Sequence, residues 1–259
     1  MLYIQKRSAP DSLKTTLLQT EKSIEWQSIP QENHKALRDY FDKAPKDEIR
    51  KYLVAQQHGL CAYCMKRIYA DDVLHTTIEH FVPLSKDKEK GLRLENMLAV
   101  CHGGRQNNEE ESNHKERTRV LCCDAKKGSE TLKIDPYNAI MMEEIEYNKF
   151  GIIGTNNEEY RKDINRTLQL NGMLSPEQQT QKFPTPQSDT ATDIIKGRKD
   201  AYRKYENLMK KLDAKGKITT EQIERTINHL ISKESYDEYV GVIVFFLRRK
   251  QRYIQAQKR

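Results

Sequence analysis

The chain has 259 residues, 36% hydrophobic and 32% charged, long enough for one large domain or two small ones around a real core. Its longest apolar run, Tyr239 to Leu247, falls far short of the ~20 residues that cross a bilayer. The opening MLYIQKRSAP lacks the apolar run of a signal peptide, so a cytoplasmic protein is expected. The net charge of +7 is uneven. Residues 196 to 259 hold 17 Lys/Arg against 8 Asp/Glu, which reads as a surface for nucleic acid or an acidic partner, or as solvated helix faces.

The elements are expected as follows. Leu2, Tyr3 and Ile4 read as a short strand, and Asp11 to Lys22 as a helix with Leu13, Leu17 and Leu18 on one face. Trp26 reads as core. Pro45, Asp47 and Glu48 mark a helix start and Gly59 its stop, because Pro and acids suit the first turn and glycine takes the left-handed cap without strain. Thr76 to Pro83 alternates as a strand. Leu94 to Val100 is a short apolar piece, followed after Cys101 by a polar insertion. A short helix from Asp124 ends near Gly128, and EEIEYNKFGIIG reads as a hairpin. Beyond a helical stretch at 158–174, residues 175 to 192 are Pro-, Gln- and Thr-rich and read as a linker. Three helices then complete the chain, one opened by the capping pair Thr219 and Gln222. Two regions are expected: 1–157, and a helical, basic 158–259.

The chemistry-bearing residues gather between positions 61 and 128. All five cysteines lie there: Cys61 and Cys64 in CAYC, then Cys101, Cys122 and Cys123. In a reducing compartment, cysteines argue for metal binding over disulfides. The two-residue gap of CAYC lets one tight turn present two thiolates to one ion, and four sulfur ligands suit a closed structural zinc site. The second pair is Cys101 with either Cys122 or Cys123. Between the halves, Glu79 and His80 end an apolar strand. In a regular strand they point to opposite faces, so serving one centre together requires a twist or bulge at the strand end.

The ordered set CAYC, IEHFVP, LENMLAVC and CDAKKG resembles the HNH (ββα-metal) endonucleases, and more closely those of the PtuB type found in Septu and retron anti-phage defence. The resemblance covers roughly the first two thirds of the chain. It implies an α+β fold, with a zinc-stapled ββα-metal core embedded in a mainly helical chain. By the same resemblance His80 is the general base and Asn96 the central asparagine that orients it. Glu79 and Asp124 hold a catalytic Mg²⁺ or Mn²⁺. Cys61, Cys64, Cys101 and Cys123 hold structural Zn²⁺, Cys123 being preferred because the family's ligand immediately precedes the metal-binding residue of the last helix.

Two departures accompany the likeness. Asp124 stands where many HNH enzymes carry His or Asn, and the gap after Cys101 is longer than in many HNH proteins, although similar to the PtuB-type group. Lys126 and Lys127 lie where a phosphate could be met. His102 and His114 are alternative ligands. The implied partners are an ABC/SMC-like ATPase of the PtuA type, a retron reverse transcriptase with its RNA-linked DNA, and a nucleic-acid substrate, DNA or RNA including tRNA. A non-catalytic zinc-stapled binding module is the alternative in another class, although such a module needs only the cysteines.

Overall fold

The computed structural model describes residues 1–103, 121–186, 193–214, 216 and 218–257. It mixes helices with two small antiparallel sheets, as an α+β chain should. Four helices come first: α1 (Asp11–Lys22), α2 (Ile24–Ser28), α3 (His34–Phe41) and α4 (Lys46–Gln56). In α1, Leu13 and Leu17 face the core one turn apart, while Leu18 is 48% exposed because the next residue is rotated about 100° around the axis. Trp26 is fully buried. The expected strand at 2–4 does not form. The Ile4 amide donates instead to the Pro136 carbonyl.

Helix α4 begins after Pro45, with Asp47 and Glu48 in its first turn, and buries Ile49, Leu53 and Val54. It stops at His58 and Gly59, both at positive φ. The chain then turns through the Cys61–Cys64 knuckle and closes it with a bridge between Leu60 and Arg67. Strands β1 (Thr76–His80) and β2 (Met97–Cys101) pair antiparallel, with His80 opposite Met97 and Thr76 opposite Cys101. Every residue of β2 is buried, because α4 covers it and so does the short helix α5 (Cys123–Lys127). Buried Gln57 stitches knuckle to strand: its amide donates to the Leu60 and Ala99 carbonyls and accepts from the Ala99 amide.

Helix α6 (Ala139–Glu143) precedes the expected hairpin, β3 (Glu146–Tyr147) with β4 (Ile153–Gly154). The expected helix at 158–174 is shorter. Helix α7 (Glu158–Lys162) continues into a π turn at Asp163–Thr167 and ends before Gln169, which has positive φ. Residues 175–186, expected as linker, are tied to the body by hydrogen bonds although only Pro184 is buried. Helix α8 (Pro176–Gln179) carries a Ser175–Gln178 capping box, and Asn165 donates to the Gln179 and Gln181 carbonyls. Residues 187–192 of that expected linker lie outside the described residues.

Helices α9 (Asp193–Asp213), α10 (Thr220–Ile231) and α11 (Val240–Gln257) finish the chain, with α11 packed against α9, α10 and β3. The Thr219–Gln222 capping box forms as expected. One apolar core runs from Leu13 through Leu53, Leu98 and Leu168 to Val242 and Leu247. Packing therefore continues across position 157. Fully buried Arg198 of α9 donates to the Gly151 and Leu170 carbonyls and to Asn171.

Candidate metal and catalytic centre

The sulfurs of Cys61, Cys64, Cys101 and Cys123 all lie within 4.8 Å of one another, and all four residues are buried. The chain reaches this arrangement from three elements: the knuckle, the end of β2 and the start of α5. The Cys64–Cys101 sulfur separation is 3.7 Å, close to the edge of about 3.8 Å of a tetrahedron with Zn–S bonds of about 2.3 Å. The Lys66 amide points at Cys64 Sγ, 3.4 Å away. The donor set and its spacing fit a metal such as zinc. Cys122 is buried beside the cluster but stands outside the group of four.

Holding this cluster requires backbone strain that the sequence does not advertise. Met65, directly after the knuckle, has φ 66°, and Cys123 has φ 51°, a left-handed region that costs a non-glycine residue roughly 1–2 kcal/mol. Two hydrogen bonds pin the second position: the Cys123 amide donates to Leu168 O, and the Cys122 amide to Gly103 O. Gly103 itself has positive φ, and a Cβ there would fall 1.8 Å from the Cys122 carbonyl oxygen.

Beside the cluster, β1 and α5 bring Glu79, His80 and Asp124 to one cleft of about 400 Å³. Glu79 and Asp124 are 7% and 9% exposed. Burial pushes Glu79 up to about 8; Lys127 pulls it down and neighbouring Asp124 pushes it further up. Lys127 forms an ion pair with Glu79 Oε1, and its ammonium also donates to the His80 carbonyl at 3.2 Å. Two buried carboxyls in contact offer the oxygen ligands that a hard divalent cation takes, and at Glu79 the Lys127 ammonium stands in that place.

His80 is the last residue of β1. Its ring packs edge-on against Phe41, with centroids 4.6 Å apart, and Nε2 lies 2.8 Å from the Gly91 carbonyl oxygen. A carbonyl only accepts, so Nε2 carries the hydrogen and Nδ1 is the basic nitrogen. Burial lowers the His80 pKa to about 4, keeping the imidazole neutral near pH 7. The tension between alternating faces is thus met at the strand's end: Glu79 turns toward α5, His80 toward α3, and both line the cleft.

Two expected roles change. Asn96 does not orient His80 through the imidazole. Its side chain accepts from the Val82 amide and donates to the Val82 and Lys90 carbonyls, thereby closing the loop that carries Gly91. Its effect on His80 runs through that backbone. Lys127 is turned inward with its side chain fully buried, so it is not placed to meet a phosphate; Lys126 is exposed. His102 packs near His75, with ring centroids 5.0 Å apart, and does not join the four-cysteine group. His114 lies outside the described residues.

Sequence reasoning also missed the cleft's far wall, made of His34, Arg38 and Phe41 of α3 and Lys46 and Arg50 of α4. The signal was present as two pairs spaced four apart, His34/Arg38 and Lys46/Arg50, each on one helix face.

No protein-family model matches the chain, and no curated protein matches it significantly. Among the described residues no helix is long and apolar enough to cross a membrane.

Proposed function

We propose that the chain is a metal-dependent endonuclease of the HNH (ββα-metal) type that hydrolyses phosphodiester bonds of nucleic acid. One observation carries the reading: Glu79, His80 and Asp124 line a single cleft on a strand–strand–helix unit whose ends meet in a four-cysteine cluster. Neutral His80 accepts through Nδ1 the proton of the attacking water, since a base must be unprotonated at working pH. The Gly91 carbonyl fixes its tautomer, and Asn96 fixes the loop that carries Gly91. Glu79 and Asp124 would hold Mg²⁺ or Mn²⁺, which when bound supplies Lewis-acid stabilisation at the phosphate. Zn²⁺ on the four cysteines would staple α5, and hence Asp124, to β2.

The resemblance of the CAYC, IEHFVP, LENMLAVC and CDAKKG segments to PtuB-type nucleases supports a role in bacterial anti-phage defence, alongside an ABC/SMC-like ATPase and, in the retron form, a reverse transcriptase with its RNA-linked DNA. Such a nuclease works inside the cell. The test compares wild type with His80→Ala on plasmid DNA, single-stranded DNA and tRNA, with Mg²⁺ or Mn²⁺ and with or without the ATPase. Cleavage by wild type that is lost in the folded variant supports the reading and identifies the substrate. Cleavage that survives in His80→Ala removes the assigned base. If no substrate is cut under any condition, a zinc-stapled binding module is the better description.

A further inference from the structure

The face of α3 and α4 opposite the carboxylates has no role in the chemistry above. On α3, His34 and Arg38 lie one turn apart; on α4, Lys46 and Arg50 do the same, and all four line the cleft that holds Glu79, His80 and Asp124. Phe41 continues the α3 row and presses edge-on against the His80 ring, so α3 meets the imidazole directly. Arg50 is only 7% exposed. Its Nη1 donates to Asp47 at 2.8 Å, while its Nε is buried with no hydrogen-bond partner.

We infer that Arg38, Lys46 and Arg50 form a phosphate-docking wall, which seats a nucleic-acid backbone phosphate next to the one that is cut. The inference rests on the nuclease reading and deepens it. The cleft's floor carries two carboxyls, so a phosphate can settle there only with a divalent cation. The wall is where the protein's own cations stand. A guanidinium with a spare buried donor suits phosphate, because its fork makes two parallel charge-assisted bonds. The competing carboxylates on these helices are weakly committed. Asp42, which also lines the cleft, pairs with Lys46, and Asp47 pairs with buried Arg50; with 53% and 78% of the two carboxylate side chains exposed, water stabilises both when a phosphate displaces them.

The test reads binding without cutting, in the full chain carrying His80→Ala. Fluorescence anisotropy follows a labelled single strand, a duplex and an RNA hairpin through a salt series. Adding Arg38→Gln and Lys46→Gln together should weaken binding roughly ten-fold or more and reduce the salt slope by about 1, with metal content and circular dichroism unchanged. Which of the three probes loses most identifies the backbone that the wall prefers. Unchanged affinity and slope on all three probes would overturn the wall. Cleavage by wild type on the same probes is run in parallel. If wild type cuts while the doubly neutralised protein binds normally, the wall is wrong and the nuclease reading stands. If wild type neither binds nor cuts, both fall.

Discussion

The ammonium of Lys127 lies buried against the carboxyl of Glu79, on the same side of the cleft as Asp124. Removing one partner of a buried pair leaves the other uncompensated, typically at about 3–5 kcal/mol. Lys127→Met should therefore destabilise the metal-free protein in urea melts. The size depends on pH. Burial raises Glu79 from 4.5 to about 8, so its contribution to stability is present below its unfolded value and is lost as pH rises through 8. A protonated Glu79 needs no counter-ion, and the loss in Lys127→Met should be larger at alkaline pH than at mildly acidic pH. An equal loss at both ends would contradict this account of the pair.

His80 runs in the opposite direction. Its folded value is lowered from 6.5 to about 4 by burial, so its stabilising contribution is complete above 6.5 and is lost as pH falls through 4. His80→Asn should flatten that part of the stability–pH curve. If Nδ1 is the base, the acid limb of kcat/KM should fall near 4 rather than near the ordinary histidine value. A limb near 6.5 would mean that another group accepts the proton.

The two adjacent cysteines should behave differently. Cys122→Ser should retain one zinc per chain, measured by plasma mass spectrometry, because Cys122 lies outside the group of four. Cys123→Ser should lose the zinc and its cooperative thermal transition, since structural zinc binding and folding are coupled. Equal zinc loss in both variants would show that the assignment between them is wrong.

Asn96→Ala removes three hydrogen bonds to the backbone of the loop that carries Gly91. At about 0.5–1.5 kcal/mol for each part-buried hydrogen bond, the expected loss in urea melts is about 2–4 kcal/mol. Cleavage should fall as well, through looser placement of the Gly91 carbonyl that holds the His80 tautomer. Full activity at reduced stability would confine Asn96 to the fold.

Most of the metal-ligand pattern was legible because it rests on residue type and spacing: CAYC, then Cys101. Capping residues were legible for the same reason, as at Thr219 and Gln222. Between Cys122 and Cys123 spacing left the choice open, and only the family resemblance favoured Cys123, the one found in the group of four. What the sequence hid was direction. The periodicity that puts Lys127 one turn from Cys123 does not say that its ammonium turns inward, and a strand pattern cannot show where pairing stops and lets Glu79 and His80 share a cleft. Strain was hidden too. Met65 and Cys123 adopt left-handed φ without the glycine that normally marks it. Composition misled at residues 175–186, where Pro- and Gln-rich chain is held in place by Asn165 and by a Lys182–Glu146 pair at 2.6 Å.

The hydrogen bond between the Cys122 amide and Gly103 O means that the chain leaves and returns at a single point beside the cysteines. Gly103 and Cys122 thus act as a clasp on the start of α5. A side chain at position 103 would strike the Cys122 carbonyl, and the displacement would pass along one residue to a zinc-type ligand and along two to Asp124, so a glycine with no chemistry of its own sets the position of both centres.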